Sequence, residues 1–166
     1  MKKKLILPIL AVALAFSACK LTGDSNYVPG IGLYNPILIN SDTLDMLKKS
    51  PDGNIMIDSL FVNDTVTVVV GAEGFVNNLL KLSFKVDNPA KLEILEPHDS
   101  IKAYFDPSSD FINGSIIMRD KIVKAFYPFK FVTLETSEKV KIDFRIESDA
   151  KEVANTSVLT LQFPIK

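Results

Sequence analysis

The sequence predicts an all-β protein, two antiparallel sheets packed face to face. Three observations carry this. From Ile55 onward the dominant hydrophobic period is two, the period at which side chains alternate across a strand. The alternating runs are short and are separated by turn chemistry at intervals of about 8–12 residues. Most runs are apolar on one face and polar on the other, as expected where each sheet keeps one face in water.

The clearest strand is Lys139 to Glu147, where Val140, Ile142, Phe144 and Ile146 alternate with Lys139, Lys141, Asp143, Arg145 and Glu147. Leu80, Leu82, Phe84 and Val86 alternate with Lys81, Ser83, Lys85 and Asp87; Leu159, Leu161, Phe163 and Ile165 form another apolar row, and Val66, Val68 and Val70 a third. Weaker strands are expected at Ile37–Ile39, Ile55–Phe61, Lys91–Leu95, Ile101–Phe105, Ser115–Met118 and Val123–Leu134. Asn113-Gly114 is a hairpin turn signal. Pro128 should interrupt its segment or put it on an edge or bulge. Ser41 to Lys49 reads as one helical piece, capped by Ser41 and carrying Asp45 and Lys49 four apart, and Pro51-Asp52-Gly53 ends it. About seven to nine short strands over about 110 residues argue for an immunoglobulin-like sandwich, with a small β-barrel as the alternative.

The first nineteen residues carry a different signal. Lys2, Lys3 and Lys4 precede an apolar run from Leu5 to Phe16, too short to span a bilayer, and Phe16-Ser17-Ala18-Cys19 follows. This resembles a bacterial lipoprotein signal, with residues 1–18 removed and Cys19 lipidated as the new N-terminus. The resemblance implies more than one acyl chain on Cys19 and hence stable anchoring. Residues 19–35, with Gly23, Pro29, Gly30 and Gly32, read as lipidated Cys and tether, and 36–166 as the folded domain. Cys19 is the only cysteine, so a disulfide within the chain is excluded and the domain must be held by its core. Of 19 basic residues three lie in the leader, leaving 16 against 20 acidic ones, a net charge of −4. That balance gives no electrostatic reason to expect a nucleic-acid partner.

Two patterns resemble a known group. Val140–Ala150, the loop Lys151–Asn155 and Thr156–Ile165 resemble the last hairpin of bacterial immunoglobulin-like and cadherin-like domains, without the glycine usual in that loop. Gly74–Leu80 and Asp58–Val66 are similar in style. Asp followed by Ser or Thr and an apolar residue occurs four times, at Asp42-Thr43-Leu44, Asp58-Ser59-Leu60, Asp64-Thr65-Val66 and Asp99-Ser100-Ile101. This resembles the O-glycosylation motif of exported proteins of Bacteroidota, and makes Thr43, Ser59, Thr65 and Ser100 candidate acceptors; turn chemistry at a strand entry explains the same pattern. The resemblance implies a Bacteroidota lipoprotein on the outer membrane, with its periplasmic or surface face open.

Candidate chemistry is sparse. His98 is the one histidine and lies in a polar turn, Glu96-Pro97-His98-Asp99, with no nucleophile motif beside it. Glu93, Glu96, His98 and Asp99 make a weak metal set, and Asp106-Pro107-Ser108-Ser109-Asp110 reads as a turn rather than a calcium loop. No cofactor is implied and no enzyme is expected. Phe126, Tyr127, Phe129 and Phe131 cluster around Pro128. Phe129 and Phe131 are expected inward and Tyr127 outward, so Tyr104 and Tyr127 become the candidate ligand contacts. The expected role is a lipid-anchored, non-enzymatic envelope module that binds or supports another macromolecule, an envelope protein or a glycan, or else a carbohydrate-binding accessory of an outer-membrane glycan-uptake system.

Overall fold

The computed structural model describes residues 27–44, 47–151 and 153–166. The leader, Cys19 and the first part of the expected tether lie outside the described residues, as does Asp45. The described chain forms a β-sandwich of two sheets that do not close into a barrel. One sheet has the order β2 (Asp42–Leu44), β1 (Gly30–Ile39), β5 (Thr65–Glu73), β9 (Lys124–Thr133), β7 (Leu92–Leu95). The other has the order β3 (Lys48–Lys49), β4 (Ile55–Met56), β11 (Thr156–Ile165), β10 (Ser137–Ser148), β6 (Leu79–Val86), β8 (Ser115–Ile117). Every pairing is antiparallel except β4 with β11, where Ile55 lies opposite Leu161 in parallel register. The expected last hairpin forms, with Val140 opposite Phe163 and Glu147 opposite Thr156.

The alternating rows meet between the sheets. Val66, Val68 and Val70 of β5 and Phe129 and Phe131 of β9 face Val140, Ile142, Phe144 and Ile146 of β10 and Leu161, Phe163 and Ile165 of β11; all are buried. The ring of Phe129 meets Phe144 edge-on, with centroids 5.1 Å apart, and Phe131 stacks on Phe163 at 5.4 Å. Tyr127 belongs to the same inward row and is 1% exposed, which corrects its expected outward position. Its number has the parity of Phe129 and Phe131, and β9 runs straight through Pro128 without shifting register against β5.

Four other expectations change. Gly30–Asn35, expected in the tether, form the first half of β1 and pair with β5 from Gly30 opposite Glu73. The folded domain therefore begins before residue 36. Where a helix was expected from Ser41, β1 turns directly into β2 through Asn40 and Ser41, which have φ of 52° and 76°. Two consecutive left-handed residues make the tight hairpin turn whose twist suits the strands, and this outcompetes a helical cap. Ile101–Phe105, expected as a strand, instead begins inside a one-turn helix α1 (Asp99–Lys102), and only Phe105 bridges to Met118. Finally, Leu80, not Leu79, was expected in the core. Lys81 pairs with Glu147 and Leu79 with Ser148, so Leu80 is the extra residue of a bulge and turns outward.

A buried polar knot joins β1, β5 and β9 at one end. The Asp64 carboxylate accepts hydrogen bonds from the Phe61 amide at 2.7 Å and the Asn40 side-chain amide at 2.6 Å. The Asp64 amide donates to Thr133 Oγ1 at 2.9 Å, and that hydroxyl donates to the Phe61 carbonyl at 2.5 Å. Asn40 Oδ1 in turn accepts the Thr65 amide at 2.8 Å. Asp64 is thus the residue that fits both the turn and the strand entry, which accounts for the Asp-Thr pair there without a modification. Asp64→Ala would strand the Phe61 and Asn40 donors, at a cost of about 2–4 kcal/mol. Thr133→Val should cost about 1–2 kcal/mol. Urea unfolding of both variants checks this; a loss under 0.5 kcal/mol (about a twofold change in the unfolding constant) for Asp64→Ala would show the knot to be dispensable.

Candidate functional site

Strand β7 is short. It pairs with β9 only from Leu92 opposite Thr133 to Leu95 opposite Lys130. Beyond it the chain leaves the sheet through Pro97 and α1, passes Tyr104 and Phe105, makes the hairpin into β8 and returns through Ile122 to β9. No described strand pairs with Lys124–Phe129 on the β7 side, so this half of β9 is a sheet edge. Pro128 sits in that half, where its missing N–H leaves no ladder bond unmade.

The excursion and the open edge enclose an apolar groove of about 310 Å³. Ile101, Tyr104, Phe105, Met118, Ile122 and Phe126 line most of it. Phe105 and Met118 are its buried floor, while Tyr104 stands 73% exposed at the mouth. Phe126 continues the apolar surface onto the outer face of the five-stranded sheet. Its ring meets Tyr34 edge-on at 4.9 Å, and Lys124 Nζ lies 5.7 Å from its centroid. The Tyr34 ring lies directly on Gly71, where an added Cβ would come 2.1 Å from a ring carbon, so only glycine seats it.

The hairpin that carries β8 is fixed by its own turn chemistry. Asp106 accepts from the Ser108 amide and hydroxyl, at 2.9 and 2.5 Å, and these bonds hold its carboxyl below the usual range. Asp110 accepts from the Asn113 side chain and amide, with the same effect. Gly114 has φ of 74° and lies so close to β6 that a Cβ would sit 2.4 Å from the Phe84 carbonyl oxygen. The segment expected to be a turn is therefore a turn, with both carboxylates engaged within it.

A second, polar cavity lies beside the groove over Phe105 and Phe111. Its charges are paired locally. Lys102 Nζ is 2.5 Å from Glu96 Oε2, a contact that raises the lysine pKa, and Arg119 Nε donates to the Phe105 carbonyl at 3.0 Å. His98 caps α1: its Nδ1 accepts the Ser100 amide at 3.2 Å and lies 2.9 Å from the Ser100 hydroxyl. Among the described residues no group of three or more His, Cys, Asp or Glu is placed to hold a metal ion.

Of the two tyrosines singled out from sequence, the structure keeps one at the surface. Tyr104 is at the groove mouth. Tyr127 packs against Phe105, Phe111 and Phe129, beneath both cavities. The groove residues Ile101, Met118, Ile122 and Phe126 are not separable from core residues by sequence alone. The available signal was Phe126, whose parity on β9 is opposite to that of Phe129. Of the acceptor candidates, Thr43 and Ser100 are exposed, and Ser59 and Thr65 are half-buried. Among the described residues no helix is long and apolar enough to cross a membrane. No protein-family model and no curated protein matches this chain.

The Tyr127 hydroxyl is buried without a hydrogen-bond partner. Burial, with a smaller contribution from Glu96, raises its pKa well above the ordinary phenol range. A folded pKa above the unfolded one, about 10, leaves stability whole below that pH and erodes it as pH rises further. Tyr127→Phe removes a buried, unmatched hydroxyl, so stability at pH 7 should stay level or rise by up to about 1 kcal/mol. The gain should widen above pH 10. Denaturant titrations at pH 7 and pH 11 check this, and a loss of more than about 1 kcal/mol at pH 7 would show that the hydroxyl has a partner.

Proposed function

We propose that this chain is a lipid-anchored, non-enzymatic module of the cell envelope that binds another macromolecule along the open edge of β9. The observation that carries this reading is the apolar groove beside a half-strand with no neighbour. An exposed strand edge offers main-chain donors and acceptors to an added strand, and pockets beside it give side-chain specificity. Phe126 N–H and the Pro128 carbonyl lie on that edge, and Tyr104 and Ile101 flank it. The anchor rests on the Cys19 leader, and the outer-membrane address on the resemblance to Bacteroidota lipoproteins.

The strand order supports the immunoglobulin-like reading. The run β1-β5-β9-β7 matches the four-strand sheet of that sandwich, and β11-β10-β6 its three-strand partner. The chain departs from it in that β8 joins the edge of β6 only after β7 has formed in the other sheet. A Bacteroidota origin rests on the leader, the loop style and the four Asp-Ser/Thr sites. Two of those sites, Thr43 and Ser100, are exposed, the Ser100 hydroxyl also meeting His98 Nδ1 at 2.9 Å, so glycan is expected at these two. Intact mass of chain purified from native envelopes should fall by the glycan mass in Thr43→Ala or Ser100→Ala and stay constant in Thr65→Ala.

A glycan ligand is the second reading, favoured by the exposed Tyr104 ring. Burial of Tyr127 removes the partner ring that reading wanted. The two are separated by placing a photo-crosslinking phenylalanine at Tyr104, with Asp143 on the opposite outer face as control. The protein-binding reading expects a discrete protein adduct from position 104 in intact cells and none from 143, and Ile101→Asp should reduce it at least tenfold. A glycan ligand gives no protein adduct, and retention on polysaccharide is lost in Tyr104→Ala. The absence of both results would overturn the groove as a binding site. Protease shaving of intact cells then assigns the membrane face.

A further inference from the structure

The sandwich carries a second apolar surface, at the end where the chain enters from residue 26. Tyr27, Val28, Phe75, Val76 and Val123 are all exposed there, Val76 by 62%. They come from three separate segments that the structure ties together. The Tyr27 ring packs 5.4 Å from that of Phe75. The Asn77 side-chain amide donates to the Tyr27 carbonyl at 3.4 Å, and the Gly74 amide to the Val123 carbonyl at 2.8 Å. Phe75 has φ of 60°, a left-handed conformation unusual for a bulky side chain. The turn holds that strain while presenting the ring outward, and such outliers concentrate at functional positions.

We infer that this end is a membrane-contacting tip, inserted at the headgroup–acyl boundary of the bilayer that holds the anchor. The inference rests on the reading of Cys19 as the lipidated residue. Seven residues lie between Cys19 and Tyr27, a span of eight Cα–Cα steps. Fully extended, they reach at most about 28 Å, whatever conformation they take. The structure thus brings the domain closer to the lipid than a tether running to residue 35 would. The other exposed apolar end, at Phe61 and Leu134, lies beyond the far end of β5, whose nine residues span about 27 Å. Only a segment stretched to its limit would cover that length, so the end nearest the lipid is the one with Tyr27, Phe75 and Val76.

The chemistry of the tip suits an interface. A tyrosine beside Phe and Val presents an apolar body with a polar handle, the type of side chain enriched where hydrocarbon meets headgroups. Charge at this end is mixed: Lys121 and Lys124 are offset by Asp120 and Glu73. Binding therefore scales with the apolar area inserted rather than with anionic lipid. The tip need not bind strongly, because the anchor holds it at high effective concentration above the bilayer.

The chain has no tryptophan, so one introduced indole reports a single position. The lipidated full chain is reconstituted in vesicles of phosphatidylethanolamine and phosphatidylglycerol, with and without acyl-brominated lipid. Val76→Trp and Val123→Trp should each show blue-shifted emission quenched at least twofold by the brominated lipid, and Phe61→Trp should show neither. Both tip positions are exposed, so two variants guard against one that folds poorly. Equal quenching at both ends, or none at the tip, overturns the inference. A blue shift without bromine quenching does the same, since a protein then covers the tip. The mass of the N-terminal peptide, read in the same sample, tests the anchor separately. An unmodified Cys19 removes the anchor reading, and tip quenching in excess vesicles is then measured on that chain directly.

Discussion

The structure depends on one seam, the contact of β9 with β10 and β11 across the middle of the sandwich. With Cys19 the only cysteine, no disulfide within the chain joins the sheets. Their union is made by rings: Phe129 against Phe144, and Phe131 against Phe163. Each fully buried phenylalanine contributes about 1.5–3 kcal/mol relative to an exposed one, more than a surface ion pair such as Lys48–Asp58 contributes. The seam also fixes register. A one-residue slip of β9 would put Phe126, Pro128 and Lys130 into the core and Phe129 into water.

The same strand explains why the candidate site lies where it does. β9 satisfies its core duty along its full length, since Tyr127, Phe129, Phe131 and Thr133 all face inward. Its hydrogen-bonding duty toward β7 is met only from Lys130 onward. The two requirements are independent, one set by side chains and the other by the neighbouring backbone. A strand can therefore be central in the core and peripheral in the sheet at once. Pro128 marks the junction, because a proline is tolerated only where no donor is required. The residues between β7 and β9 form no ladder with this half of β9; they pair with β6 through β8 instead and build the groove out of α1 and the β8 hairpin.

What was legible in the sequence follows the same division. The alternating strands β6, β10 and β11 were the most visible, because a period of two over eight or more residues has one structural interpretation; β5 showed only its valine row, and β9 read as a weaker strand. The sandwich followed from them. Three things were not visible. In Gly30–Asn35 only Ile31 and Leu33 alternate, set between glycines as in a tether, yet the segment pairs because β5 offers a full-length partner, a tertiary cause no local window contains. Asn40-Ser41 resembled a helix start, since cap chemistry and hairpin-turn chemistry draw on the same residue types. Leu79 and Leu80 are alike, and only a bulge against Ser148 decides which is buried. At the site, Tyr104 was singled out as one of the two tyrosines outside the expected tether in a chain without tryptophan. Its groove was not, since Met118 and Ile122 differ from core residues only in which cavity they line.

On the proposed orientation, these elements constrain one another. Val123 belongs to the tip, while Ile122 and Lys124, its two neighbours in sequence, line the groove. The groove therefore opens close to the end that faces the bilayer, not at the far end of the domain. A partner strand that adds to β9 at Phe126 must approach within a few residues of the headgroups, running beside the membrane-proximal half of the sheet. This favours partners that are themselves held at the membrane over partners that diffuse freely. Shared confinement raises their effective concentration, and a small groove of about 310 Å³ is then enough for a useful contact. If Cys19 carries the proposed anchor, the short approach to Tyr27 does more than attach the domain: by limiting how far the sandwich can stand from the bilayer, it selects the edge at which the proposed binding takes place.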